Sequence, residues 1–220
     1  MNVGAAKGKI VCDLIAEVKP KVMIELGGYV GYSALLFGDA LRKAGGQQYH
    51  SLERNPEFAA VITSLLDLAG LSDLVKVHVG PSDQSIARLH AASTFSQIDL
   101  MFLDHYKPAY ITDLKLCEHL GLIRPGSVLA ADNVISPGNP PYLEYVRSTV
   151  EEKLKKFKDH KGKAYDTQEF SDSWRNQYSK RIMNEKPNLQ HPGNPGLIYE
   201  SQLIHSQEPT GEPVRIAPAA

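Results

Sequence analysis

The 220-residue chain, 24.2 kDa, is long enough for one domain with embellishments, and 42% hydrophobic residues can fill a sizeable core. A formal net charge of −1 gives no global reason to expect nucleic acid or an anionic membrane surface as partner. Two cysteines, Cys12 and Cys117, make no disulfide framework and suit a reducing compartment. The N-terminus "MNVGAAKGKI" lacks the apolar centre of a signal peptide, and no apolar run approaches spanning length. A cytoplasmic monomer is the expectation.

Ile10, Val11, Leu14, Ile15 and Val18 recur at helical spacing, and Pro20 ends that helix. "KVMIEL" reads as a buried strand and "GGYVG" as the turn after it. Residues 31–43 and 56–69 are helical, the second opening on Asn55-Pro56, an N-cap followed by proline at the first helical position. "QQYHSLE" lies between them as a strand. Strands follow at 75–80, 98–104 and 127–133, separated by helices at 82–92 and 109–121. Strands alternating with helices predict a parallel sheet covered on both faces, with ligands at the carboxyl ends of the strands. Glu25, Glu53, Ser82, Asp104, Asp132 and Asn133 all fall at such ends.

Beyond Pro137, "PYLEYVRSTVEEKLKKF" reads as one amphipathic helix with Leu143, Val146, Val150, Leu154 and Phe157 inward. The stretch 158–196, rich in Pro, Gly and Asn, reads as a long surface excursion of a single 1–220 domain. "LIYESQLI" (197–204) and "VRIA" (214–217) read as a closing hairpin.

Two motifs carry chemistry. In "IELGGYVGYS" the glycines at a helix entry let a ligand approach the backbone, and Glu53 ends the next strand, where a carboxylate can accept ribose hydroxyls. A nicotinamide site is one reading, but Gly-x-Gly-x-x-Gly spacing is absent and Glu25 is unwelcome beside phosphates. A ligand with an amino group and a sulfonium suits Glu25 better; a turn that only packs helix on strand is the plain alternative. In the second motif, "FLDHYK" and "ADN" place Asp104 and Asp132-Asn133 on strand ends about 5 Å apart if the strands are adjacent. Two carboxylates and an amide oxygen are a hard, oxygen-only set that favours Mg²⁺ over zinc. Helix N-caps at the same aspartates are an equal alternative on spacing alone.

"MNVGAAKGK", "IELGGYVGYS", "LERNPEFA", "MFLDHYK", "GLIRPGSVLAADNVISPG" and "YLEYVR" occur in an order that resembles the catechol O-methyltransferases, densely over residues 1–150. The resemblance implies a Rossmann-like class I methyltransferase fold. Its sheet would be mostly parallel and seven-stranded, with helices on both faces and an antiparallel C-terminal hairpin. It implies Mg²⁺-dependent transfer of a methyl group from S-adenosyl-L-methionine to one hydroxyl of a small-molecule catechol. Asp104, Asp132 and Asn133 match the family's magnesium ligands and Lys107 its base. Val3, Glu25, Gly27, Tyr29, Tyr32, Ser33, Glu53, Ser82 and His105 match positions around the methyl donor. Tyr106, Asn133 and Pro137 match the catechol pocket, with Glu200 on the closing hairpin as the acid for the second hydroxyl. Relatives carry helices ahead of "MNVG", have tryptophan where Tyr106 stands in vertebrate members, and have a shorter connection than 158–196. A non-catalytic donor-binding relic and a nicotinamide-dependent oxidoreductase are the other readings, the latter opposed by the glycine spacing.

Overall fold

The computed structural model describes residues 3–160, 175, 191–207 and 213–219. Helix α1 (Gly4–Val18) precedes β1 (Val22–Leu26), and the chain then alternates through α2 (Tyr32–Lys43), β2 (Gln48–Glu53), α3 (Pro56–Leu68) and β3 (Val75–Val79). It continues through α4 (Ser82–Ala91), β4 (Leu100–Leu103), α5 (Ala109–His119) and β5 (Val128–Ala131). A five-residue π-turn, Val134–Gly138, leads to α6 (Pro140–Arg147) and α7 (Val150–His160). Strands β6 (Ile204–Gln207) and β7 (Pro213–Ala219) close the chain.

The seven strands run in the order β3-β2-β1-β4-β5-β7-β6. The first five are parallel; β7 is antiparallel to both β5 and β6. Alternation along each inner strand divides the core into two layers. Met23, Tyr49, Leu100, Phe102 and Ala130 pack under Val11, Ile15, Phe37, Leu41 and Ile62 of α1–α3. Ile24, Leu52, Met101, Leu103 and Leu129 face Ile86, Tyr110, Leu114, Tyr142 and Val146 of α4–α6. Asn55 caps α3 as its sequence predicts, its side-chain oxygen accepting the Glu57 N–H at 2.8 Å.

Two expectations change. The helix predicted across 141–157 is two helices, broken at Ser148, whose backbone is extended (φ −78°, ψ 144°). The cause is a capping box that restarts the helix. Thr149 N–H donates to Glu152 Oε2 at 2.8 Å, and Thr149 Oγ1 accepts the Glu152 N–H at 3.3 Å. The restart turns Leu154 outward, leaving it 43% exposed, while Val146 stays buried. The strand predicted at 197–204 begins only at Ile204, because helix side chains claim the segment before it. Lys153 Nζ donates to the Leu197 carbonyl at 2.6 Å, and the buried Glu118 accepts from Tyr199 Oη, from Tyr145 Oη at 2.5 Å and from Asn194 N at 2.8 Å. Gly193 (φ 75°) is required at this anchor, since a Cβ would stand 2.4 Å from Glu118 Oε2. Most of the proposed excursion at 158–196 and the hairpin turn at 208–212 lie outside the described residues.

Candidate active site

The order reversal of the sheet falls between β1 and β4, and both strand ends open there. Leu26 and Leu103 are paired in register, so the glycine loop after β1 lies against the turn after β4. Gly27 (φ 98°) touches that turn so closely that a Cβ would sit 2.6 Å from the Asp104 carbonyl oxygen. Gly31 (φ 90°) opens α2, and Tyr29 adopts φ 48° with its ring set edge-on to Phe58 at 5.0 Å. Glu53 holds the loop from below. Its two oxygens accept the Tyr29 and Asn55 N–H groups, each at 2.7 Å.

Glu25 is fully buried beneath the loop and accepts hydrogen bonds from Ser33 Oγ and, at 2.5 Å, from Tyr49 Oη. Burial pushes its carboxyl up to about 7, against the pull of those hydrogen bonds. Val3 at the head of α1 is buried, Tyr32 and Ser33 form the first turn of α2, and Ser82 starts α4. The elements that carry these positions all begin beside the carboxyl ends of the parallel strands.

The second half of the site is built where β4 and β5 end together, Leu103 opposite Ala131. Asp104 and Asp132 are the next residues on each strand. Lys107 reaches across both. Its ammonium lies 3.4 Å from Asp104 Oδ1, 3.3 Å from Asn133 Oδ1, 3.2 Å from the Asp132 carbonyl and 2.6 Å from Tyr110 Oη. Tyr110 Oη in turn donates to the Leu103 carbonyl at 2.7 Å. Asn133 takes a left-handed conformation (φ 56°), which asparagine tolerates, and its N–H caps Asp132 Oδ1 at 2.7 Å. Asn139, wholly buried at the other end of the π-turn, donates to the Lys107 carbonyl at 2.8 Å. Burial, reinforced by the Asp132 charge and opposed by Lys107, raises the Asp104 carboxyl to about 7.

His105 stacks flat on Tyr110 (4.9 Å, 10°) and bonds Asp113 Oδ2 at 2.9 Å through Nε2. Tyr106 is buried beside it. Pro137 belongs to the π-turn. Glu200 is exposed in the irregular stretch ahead of β6, not on the hairpin where the sequence puts it, because Tyr199 beside it is drawn to Glu118.

Residues 1–157 match the O-methyltransferase family. The chain belongs to that family. It is 44% identical over 149 residues to a catechol O-methyltransferase of Mus musculus, a match covering 68% of this chain and 56% of that protein. A catechol O-methyltransferase of Sus scrofa is 43% identical over 147 residues, 67% of this chain and 78% of the relative. The chain thus spans little more than half the length of the mouse relative. The fold is shared with an O-methyltransferase of Bacillus cereus solved in complex with SAH (TM-score 0.61, 20% identity, 97% of this chain and 80% of that one). The family and fold agree with the class I reading and leave no support for a nicotinamide enzyme. No helix among the described residues is long and apolar enough to cross a membrane.

For an O-methyltransferase, the residues present fit both expected groups. Among the described residues no cluster of three or more His, Cys, Asp or Glu is arranged for a metal. The oxygen set is instead two carboxylates and one amide, the hard donor set that suits Mg²⁺. The loop at Gly27, closed to any Cβ, suits a ligand pressed on backbone. Lys7, Tyr110 and Asp113 are among the residues of the site that their sequence positions do not announce. Each is buried on the inward side of a helix. A charged or hydroxyl-bearing residue on an apolar helical stripe is the signal that could have found them.

Proposed function

We propose that the chain transfers a methyl group from S-adenosyl-L-methionine to one hydroxyl of a catechol, with Mg²⁺ held by Asp104, Asp132 and Asn133. The observation that carries this reading is the convergence of Lys107 on the side-chain oxygens of Asp104 and Asn133 and on the backbone carbonyl of Asp132 at 3.2–3.4 Å, beside a glycine loop that admits a backbone-hugging ligand. Bound there, Mg²⁺ would chelate a vicinal diol and favour the phenolate over a phenol of ordinary pKa near 10.

The chain's own residues do the rest. Lys107, once its ammonium has released a proton to solvent, takes the proton of the attacking hydroxyl as the neutral amine, and Tyr110 fixes the direction from which that amine approaches. Glu53 accepts the ribose hydroxyls of the donor, and Glu25 sets a buried negative charge under its cationic end. His105, oriented by Asp113, backs the donor, while Tyr106 and Pro137 wall the catechol ring. The new O–C bond forms as the S–C bond breaks, and the neutral thioether leaves. Attacking oxyanion and sulfonium annihilate charge, so alignment and exclusion of water supply most of the acceleration. Glu200 is the remaining candidate for the second catechol hydroxyl, from the segment ahead of β6.

The test is a mixture of protein, catechol, methyl-labelled donor and Mg²⁺. Labelled monomethyl catechol that disappears in EDTA and returns with added Mg²⁺ is the expected result. Donor binding without transfer, at any Mg²⁺ concentration and with a panel of catechols, would overturn it in favour of a non-catalytic binder.

A further inference from the structure

Lys7 is a cation inside the protein, its side chain 1% exposed. It occupies the inward stripe of α1 together with Gly4, Gly8, Val11 and Ile15. Its ammonium lies 2.7 Å from Asp132 Oδ2, a partner 125 residues away in the chain. The other oxygen of Asp132 accepts the Asn133 N–H, also at 2.7 Å. Each carboxylate oxygen therefore has one donor fixing its plane and lone-pair capacity left over.

The charges at the strand ends are two acids, Asp104 and Asp132, and two ammoniums, Lys7 and Lys107. Formally the set is balanced. The two lysines hold it differently. Lys107 divides its donors among Asp104, Asn133, Tyr110 and a carbonyl, with its carboxylate contact at a long 3.4 Å. Lys7 makes a short contact with a carboxylate that is itself buried. A buried charge persists only where it is paired, so Asp132 needs either Lys7 or another cation beside it.

We propose that Lys7 is the permanent counter-ion of the metal site, a positioning residue that fixes Asp132 in its ligating plane and shares that carboxylate's charge with the divalent ion. The inference rests on the Mg²⁺ reading above. Its consequence is that a protein without Lys7 must rely on the divalent ion for charge balance. Lys7 also lowers the site's hold on the ion, by placing a like charge next to it.

The test compares wild type, Lys7→Met and the double variant Lys7→Met/Asp132→Asn by thermal unfolding and Mg²⁺ calorimetry, all with saturating S-adenosyl-L-homocysteine. In EDTA, Lys7→Met should unfold about 10 °C below wild type, the effect of breaking a buried pair in a chain of this size. Mg²⁺ should return most of that loss, so its Tm increment exceeds the wild-type increment. Mg²⁺ should bind Lys7→Met on the order of tenfold more tightly, a repulsive charge having gone. The double variant, balanced again, should recover most of the lost Tm in EDTA and cease to respond to Mg²⁺. Equal Mg²⁺ increments in wild type and Lys7→Met would overturn the inference alone. So would Mg²⁺ binding weakened tenfold, a double variant no more stable than the single, or a Lys7→Met protein that does not fold even in Mg²⁺. A wild-type protein whose Tm and calorimetry ignore Mg²⁺ would instead remove the metal reading, and this inference with it.

Discussion

Helix α5 spans about 16 Å and separates two buried ionic clusters that are built on opposite principles. Just before its first turn, Lys107 is shared among acceptors at 3.2–3.4 Å in addition to Tyr110. At its last turn, both oxygens of Glu118 are engaged, by two tyrosine hydroxyls and a backbone N–H, at 2.5 Å from Tyr145 and 2.8 Å from Asn194. Lys153 lies over the rings of both tyrosines, 4.6 Å from Tyr145 and 4.8 Å from Tyr199. Short bonds to both carboxylate oxygens describe a fastening. Long, divided bonds around an ammonium leave acceptor capacity that a substrate or an ion can take up. Burial and charge are common to both ends; the degree of saturation separates the working cluster from the structural one.

The comparison breaks if substitutions at the two ends have the same consequence. Lys107→Ala should lower methyl transfer at least about a hundredfold, the usual range for loss of a general base, while Tm and donor binding change little. Turnover by labelled-methyl assay and unfolding by circular dichroism check both halves of that statement. Glu118→Ala should do the reverse. Two buried tyrosine hydroxyls and the Asn194 N–H lose their acceptor, which should cost about 4 kcal/mol of stability, with turnover per folded molecule unchanged. Denaturant unfolding and an activity assay on the folded fraction give the two numbers.

Glu25 sharpens the contrast, because it is a buried acid well supplied with donors yet still raised to about 7 from 4.5. An acid raised on folding adds stability that is whole below its unfolded pKa and is lost as pH rises through the folded one. Wild type should therefore lose about 3 kcal/mol from this group between pH 4.5 and 7 and above. Glu25→Gln should be flatter across that window. Unfolding free energies measured at half-unit steps of pH show the difference; identical pH profiles would mean the carboxyl titrates normally.

The inner sheet was legible because each strand is a short apolar run ending in a polar residue, with a helix between. The pairing of Asp104 with Asp132 follows from adjacency of β4 and β5, which the alternation of elements implies. Lys7 was hidden by its type: a lysine in a helix's first turn reads as solvated until its partner, 125 residues on, is in place. The break at Ser148 was hidden by good helix formers on either side, although "TVEE" is a capping box in plain sight. The irregular 197–203 stretch could not be read locally at all. Its strand-like composition is overridden by Glu118 and Lys153, which lie 79 and 44 residues before Leu197.

The π-turn has both its ends moored to Lys107: Asn133 on its side-chain ammonium at 3.3 Å, Asn139 on its carbonyl at 2.8 Å. Ile135 and Ser136, between those moorings, are exposed. Such a span can exchange residues without dragging the base with it. Substrate preference should therefore drift quickly under selection at 135–137, while the chemistry behind it stands still. A library confined to those three positions would be the economical place to search for new acceptors.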